Sequence, residues 1–241
     1  KAEVLEGKKI VIIGGSAGIG LATAKAVAAK GAEVIIVSSN QQRIDNALQV
    51  LSIRASGIAV NAGKELQIKG LFEQIGHFDH LVYTAGENLR LNNIADTEIT
   101  DAKQFFDVRY WGAFAAVKYA VPYIHKSGSI VLTSGIAGVR PNKGWGVAAG
   151  ITSAMEGFTR AMAVELAPVR VNIVSPGIVK TDLWSVMSEA DRENLYIQSA
   201  NALPLKKVGE ADDIALTYVY LMEQAFGTGQ CVIVDGGAVL I

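Results

Sequence analysis

Short β-branched apolar runs alternate with longer Ala- and Leu-rich segments along the whole chain, and few folds accommodate that rhythm. "KIVIIGG", "AEVIIVSS", "GIAVN", "HLVYTAG", "SIVLTSG", "VRVNIVSPG" and "QCVIVDGG" read as seven strands. Their nearly continuous apolar character fits strands covered on both faces, as in a parallel sheet with right-handed helical crossovers. The expectation is a doubly wound α/β fold, with helices on both faces of a seven-stranded sheet. At 241 residues, a single domain over 1–241 is expected. Thr100 and Asp101 are read as the boundary before one helix, "AKQFFDVRYWGAFAAVKYA", and Ser188 as the boundary before "EADRENLYIQ".

A formal net charge of -1 supplies no general attraction for a phosphate backbone, so nucleic acid is not an expected partner. The N-terminal "KAEVLEGKK" lacks an apolar signal core and no segment has the run of about 18 apolar residues that a span needs, so no membrane partner and a cytoplasmic location are expected. Cys231, the only cysteine, excludes an intrachain disulfide and reads as a small core residue, buried as packing in the run "CVIV". His77, His80 and His125 are scattered without metal-ligand spacing, so no metal is expected.

In a sheet of this kind ligands bind beyond the carboxyl ends of the strands. The tails "GGSAGIG", "SSNQQ", "YTAGEN", "TSGIAG" and "SPGIVKT" should therefore converge on one crevice. Gly14, Gly18 and Gly20 follow a strand and open a helix, where backbone N–H groups and the positive dipole end suit a pyrophosphate. The spacing G-x-x-x-G-x-G is looser than the usual dinucleotide fingerprint, and the alternative is a plain strand-to-helix connection.

"GGSAGIG", "YTAG", "ELAPVRVNIVSPGIVKTDL" and "TGQCVIVDGG", in that order, make the chain resemble the short-chain dehydrogenase/reductase family over almost its entire length. The resemblance implies a Rossmann-like fold. It implies a pyrophosphate held by Gly14, Ser16, Ala17, Gly18, Ile19 and Gly20, an adenosine side lined by Ala85 and Gly86, and a nicotinamide end embraced by Pro176, Gly177, Ile178 and Thr181. Asn61, followed by Ala62, falls where the family often has an Asp contacting adenine. At the end of the second strand an acidic residue would bind the ribose hydroxyls and repel a 2'-phosphate. Ser38, Ser39 and Asn40 stand there instead, with Arg43 nearby, which favours NADP(H) over NAD(H). The alternative is a polar turn with no part in that choice.

The family's catalytic Tyr, Lys, Ser and Asn have identifiable places here, and all four are replaced. The alignment puts Ala148 at the Tyr position, Thr152 at the Lys position, Gly135 at the Ser position and Arg109 at the Asn position. No shift of register recovers them, because there is no Tyr between Tyr123 and Tyr196 and no Lys between Lys143 and Lys180. Proximity alone supplies much of an enzyme's advantage, whereas general acid catalysis adds about 10²- to 10⁴-fold. Arg109 is the candidate electrostatic aid, with Ser134 or Thr152 orienting a water. Alternatively, Arg109 pairs with Asp107, Glu156 or another carboxylate, and the two hydroxyls bond backbone.

Two functions follow as expectations. One is an NADP(H)-dependent reductase acting by hydride transfer on a small carbonyl compound or related electrophile, apolar in part. The other is a dinucleotide-binding sensor or scaffold without activity. Trp145 and Lys143 lie in a loop above the supposed site. Trp184, Met187, Tyr196 and Leu203 fall in a segment, about 182–205, that resembles the family's substrate lid. Relatives often form homo-oligomers, dimers or tetramers, through the two long helices at Thr100 to Ala120 and Ala149 to Ala167.

Overall fold

The computed structural model describes residues 4–86 and 91–241. In chain order the first half carries β1 (Lys9–Ile13), α1 (Gly18–Ala29), β2 (Glu33–Ser38), α2 (Gln41–Leu48), β3 (Ala55–Ala59), α3 (Glu65–Ile75) and β4 (Phe78–Tyr83). The second carries α4 (Ile99–Phe106), α5 (Ala113–Ala120), β5 (Ile124–Thr133), α6 (Gly146–Glu165), β6 (Arg170–Pro176), β7 (Val179–Lys180), α7 (Glu189–Ala202), β8 (Gly209–Glu210), α8 (Ala211–Glu223) and β9 (Cys231–Val234). Seven strands form one parallel sheet in the order β3-β2-β1-β4-β5-β6-β9. The expected α/β architecture is therefore the observed one.

Strand alternation explains why both faces are dry. In β1, Val11 and Ile13 join a core with Phe72 of α3, Ala116 of α5 and Met155 of α6. Ile10 and Ile12 point the other way, into a second core with Ala24 and Val27 of α1 and Tyr218 and Leu221 of α8. A strand buried on both faces has no polar positions to spare, and this is the origin of the unbroken apolar runs.

Several boundaries differ from the sequence reading, among them the helix expected at Ala149 to Ala167, which runs over Gly146–Glu165. β5 begins at Ile124, upstream of "SIVLTSG", because Ile124 pairs with Phe78 before the register shifts to His80 opposite Ser129. β3 begins at Ala55, where pairing with Val34 starts. The long helix is neither started by Thr100 and Asp101 nor continuous. It begins at Ile99, which places both residues in its first turn, and it passes through a π-helical stretch, Asp107–Gly112, between α4 and α5. The hydroxyl of Tyr83 donates to the Val108 carbonyl inside that stretch, tying the widened turn to the end of β4. Ser188 caps α7 as expected, accepting from the Asp191 N–H at 3.1 Å. Among the described residues no helix is long and apolar enough to cross a membrane.

His80 sits inside the sheet, 5% exposed, with Nδ1 2.8 Å from Ser129 Oγ. Burial pulls its pKa down to about 4. A group whose folded pKa is depressed supports the fold above its unfolded pKa and withdraws that support as pH falls toward the folded value. Between about pH 7 and about pH 5 this residue should cost about 2 kcal/mol of unfolding free energy, read from urea titrations at the two pH values. A His80→Gln variant should flatten that slope, and an unchanged slope would assign it to other groups.

Candidate active site

The carboxyl ends of β1, β2, β4, β5 and β6 open into one cleft of about 440 Å³. The tails expected to converge do so, apart from Glu87 and Asn88 of "YTAGEN", which lie outside the described residues. Ser16, Ala17, Gly18, Ile19 and Gly20 line one end beside Gly14. Two glycines are demanded by close approach. A Cβ on Gly14, whose φ is +91°, would lie 2.5 Å from the Ala85 nitrogen. A Cβ on Gly20 would fall on the Gly14 carbonyl oxygen and 2.6 Å from Thr84 Oγ1. The turn is packed backbone to backbone against the end of β4, which leaves its outer face open to a ligand. Ala17, at the head of α1, offers no side-chain cap, and the first turn holds no acidic residue. The head of this 12-residue helix thus borders the cleft at Gly18, Ile19 and Gly20, and the first N–H groups of a helix lack intrahelical acceptors, which suits an anionic diphosphate.

Ser38, Ser39 and Arg43 line the next part of the wall. Asn40 does not line it, because its Oδ1 caps α2 by accepting from the Arg43 N–H at 3.0 Å. Asn61 and Ala62 line the same side, with Asn61 Oδ1 accepting from the Gly63 N–H at 2.9 Å. That oxygen keeps a second lone pair for another donor. Ala85 and Gly86 form the middle of the cleft, and Pro176, Gly177, Ile178 and Thr181 the far wall. Thr181 Oγ1 also accepts from the Leu183 N–H at 3.4 Å.

All four positions aligned with the family's catalytic set face this cleft: Arg109, Gly135, Ala148 and Thr152. The Arg109 guanidinium lies over Gly86, where an added Cβ would be 2.7 Å from both Cζ and Nη1. Because the obstructing atoms end a flexible side chain, Gly86→Ala should leave the fold intact while pushing the guanidinium off this seat. A crystal structure of that variant would check it, and an unmoved Arg109 would show the seat to be looser than the packing implies. The π-helical turn positions this arginine, since π insertions rotate the side chains that follow relative to a regular helix.

The two candidate hydroxyls are already engaged. Thr152 Oγ1 donates to the Ala149 carbonyl at 3.2 Å, and Ser134 Oγ has Glu156 Oε1 at 3.0 Å and the Thr152 carbonyl at 3.2 Å as acceptors. Tyr83 is buried, its hydroxyl pushed far above the usual phenol range and spent on Val108. Trp145 and Trp184 both line the cleft, whereas Lys143, Met187, Tyr196 and Leu203 do not. Glu156 was missed as a partner of Ser134. Ala148, Thr152 and Glu156 follow one another at intervals of four, and that spacing was the signal that could have placed Glu156 on their face of α6. Thr84 was also missed, although it stands inside the quoted "YTAG". Cys231 is only partly buried, and burial followed by Glu156 pushes its thiol up to about 11, so it stays protonated at neutral pH.

A Gly-rich turn, a helix head and a switch in strand order at β1 and β4 together define a dinucleotide-binding α/β protein. Residues 1–241 match the family described as SDR-like Rossmann domain. The chain belongs to the short-chain dehydrogenase/reductase family. It is 37% identical over 254 aligned residues to the short-chain dehydrogenase/reductase ATR9 of Stachybotrys chlorohalonatus, covering 98% of each. A small-chain dehydrogenase solved in complex with NADPH superimposes with a TM-score of 0.84 at 35% identity, covering 98% of this chain and 100% of that one. The MalC reductase/Diels-Alderase of Malbranchea aurantiaca superimposes with a TM-score of 0.92 at 26% identity, covering 100% and 99%.

Proposed function

We propose that this protein is an NADP(H)-dependent reductase that adds hydride to a small carbonyl compound or related electrophile, in a site without the family's Tyr and Lys. The observation that carries the reading is the continuity of one cleft, from the open Gly-rich turn and uncapped α1 to the emptied positions at Gly135 and Ala148. The solved NADPH complex of a similar dehydrogenase supports the cofactor. When bound, the dihydronicotinamide would supply the hydride.

The chain's own residues would do the rest. Gly14 to Gly20 and the head of α1 hold the diphosphate, and Ser38, Ser39 and Arg43 receive the 2'-phosphate. Asn61, Ala62, Ala85 and Gly86 seat the adenosine side, while Pro176, Gly177, Ile178 and Thr181 hold the nicotinamide end. Arg109 stabilises negative charge on the acceptor's oxygen, because a guanidinium stays charged at every working pH. Ser134 and Thr152 then act as positioning groups for a water. The 182–205 segment is proposed as a lid, the chain as a cytoplasmic homo-oligomer. The exposed Trp111 and Phe114, packed beside Phe158 of α6, provide the apolar face such an assembly needs.

The test pairs calorimetry of NADPH and NADH with NADPH consumption on a panel of ketones, aldehydes and imines. Tight uptake with no turnover on any compound would favour the inactive binding protein instead. Arg109→Ala should lower kcat by about tenfold or more while leaving NADPH affinity near its original value. Unchanged kinetics would remove Arg109 from the mechanism.

A further inference from the structure

The substrate half of the cleft has an unusual combination of features. Its floor is small: a Cβ on Gly135 would meet nothing nearer than 3.5 Å, and Ala148 beside it carries only a methyl group. Its walls include two indoles, Trp145 and Trp184. The Trp184 Nε1 donates to the Val179 carbonyl at 3.0 Å, so its polar edge is spent and its ring is held. Among the described lining residues the only charged side chains are Arg43 on the adenosine side, Arg109 over Gly86, and Asp182. Neither Ser134 nor Thr152 has a hydroxyl proton uncommitted, as both donate to acceptors of the protein itself.

A saturated alkoxide formed here would be a very strong base whose proton neither Ser134 nor Thr152 supplies, so it would have to be taken from water. A conjugated acceptor has no such difficulty. When its carbon gains hydride, the π electron pair moves onto a delocalised oxygen, and the resulting phenolate-type or 1,3-dicarbonyl enolate is a far weaker base than a saturated alkoxide, so it can leave the carbon step without a proton donor in place. The product is an anion with no proton yet taken up, and a permanent cation is the group that recognises it. Flat conjugated rings also suit a small floor between aromatic walls.

We infer that the compartment formed by Ala148, Gly135, Trp145, Trp184 and Arg109 recognises a flat aromatic compound whose reduced form is a delocalised oxyanion. The substrate class is therefore a conjugated acceptor, such as a quinone methide or an arylidene 1,3-diketone, in preference to a simple ketone. This inference rests on the reductase reading and narrows it.

The probe is 2-phenyl-1,3-indandione, which is ionised at neutral pH, titrated into the full chain with saturating NADP⁺ and followed by calorimetry and tryptophan fluorescence. Saturable binding is expected, with quenching that weakens in Trp145→Phe and in Trp184→Phe. Ala148→Phe should weaken binding at least about tenfold by filling the floor, and Ala148→Val by less. Arg109→Gln should weaken the anion by a similar factor while leaving the neutral analogue 2-phenylindene unaffected. NADPH affinity, measured on every variant, reports that the fold survives. NADPH uptake without saturable binding of the anion, or with equal binding by Ala148→Phe, overturns this inference alone. Refusal of both NADPH and NADH overturns the reductase reading and this inference with it.

Discussion

Gly20→Val is expected to abolish dinucleotide uptake and to cost about 3 kcal/mol or more of stability, at the upper end of what overpacking usually costs. The reason is local. The new Cβ would fall on the Gly14 carbonyl oxygen and 2.6 Å from Thr84 Oγ1, and neither backbone nor a bonded hydroxyl can step aside cheaply. Thr84 Oγ1 donates toward the Gly14 carbonyl at 3.2 Å, so displacing it also breaks the tie between the turn and β4. NADPH calorimetry beside thermal unfolding measures both consequences. Gly70→Ala on α3 is the control, because nothing lies within 4 Å of its added Cβ. It should stabilise by about 0.5–1 kcal/mol, since alanine loses less backbone freedom in a helix. A Gly20→Val protein that binds NADPH like the parent would remove the turn from the binding site.

Ser39→Asp is expected to reverse the proposed preference for NADPH over NADH. Ser38 ends β2 and Ser39 follows it at the wall of the cleft, with Arg43 of α2 lining the same wall. A carboxylate about 4 Å from a 2'-phosphate would be opposed by about 4 kcal/mol at an effective dielectric of 20, an upper bound. A shift of about a hundredfold in the ratio of the two affinities is the expected result, since solvent weakens the repulsion at this exposed edge. Arg43→Ala should act in the same direction by a smaller factor, weakening NADPH and sparing NADH. Competition titrations at two salt concentrations would read both, and higher salt should shrink each difference. A ratio that ignores Asp at position 39 would mean that the end of β2 does not meet the ribose.

Legibility in the sequence followed the physics of each feature. Strands such as "KIVII" announced themselves because burial on both faces leaves no polar position. The convergence of the strand tails was legible too, because parallel topology sends every carboxyl end to the same edge. The π-helical stretch Asp107–Gly112 was not, since "FFDVRYWGAFAAV" carries no Pro or paired Gly to mark an interruption. A contact far away in sequence accompanies it, the Tyr83 hydroxyl donating to the Val108 carbonyl. Asn40 was singled out for its polarity, and the same short amide equally suits the α2 cap that it forms.

Residue identity alone determined which chemistry is missing: with no Tyr between Tyr123 and Tyr196 and no Lys between Lys143 and Lys180, α6 has no such acid to offer in any register. Where the remaining groups point was decided only by packing. The Ser134 hydroxyl reaches Glu156, the Thr152 hydroxyl turns back to Ala149, and Arg109 settles over Gly86. A side chain's type is a property of one position, whereas its direction is set by neighbours that the chain brings together from four different elements.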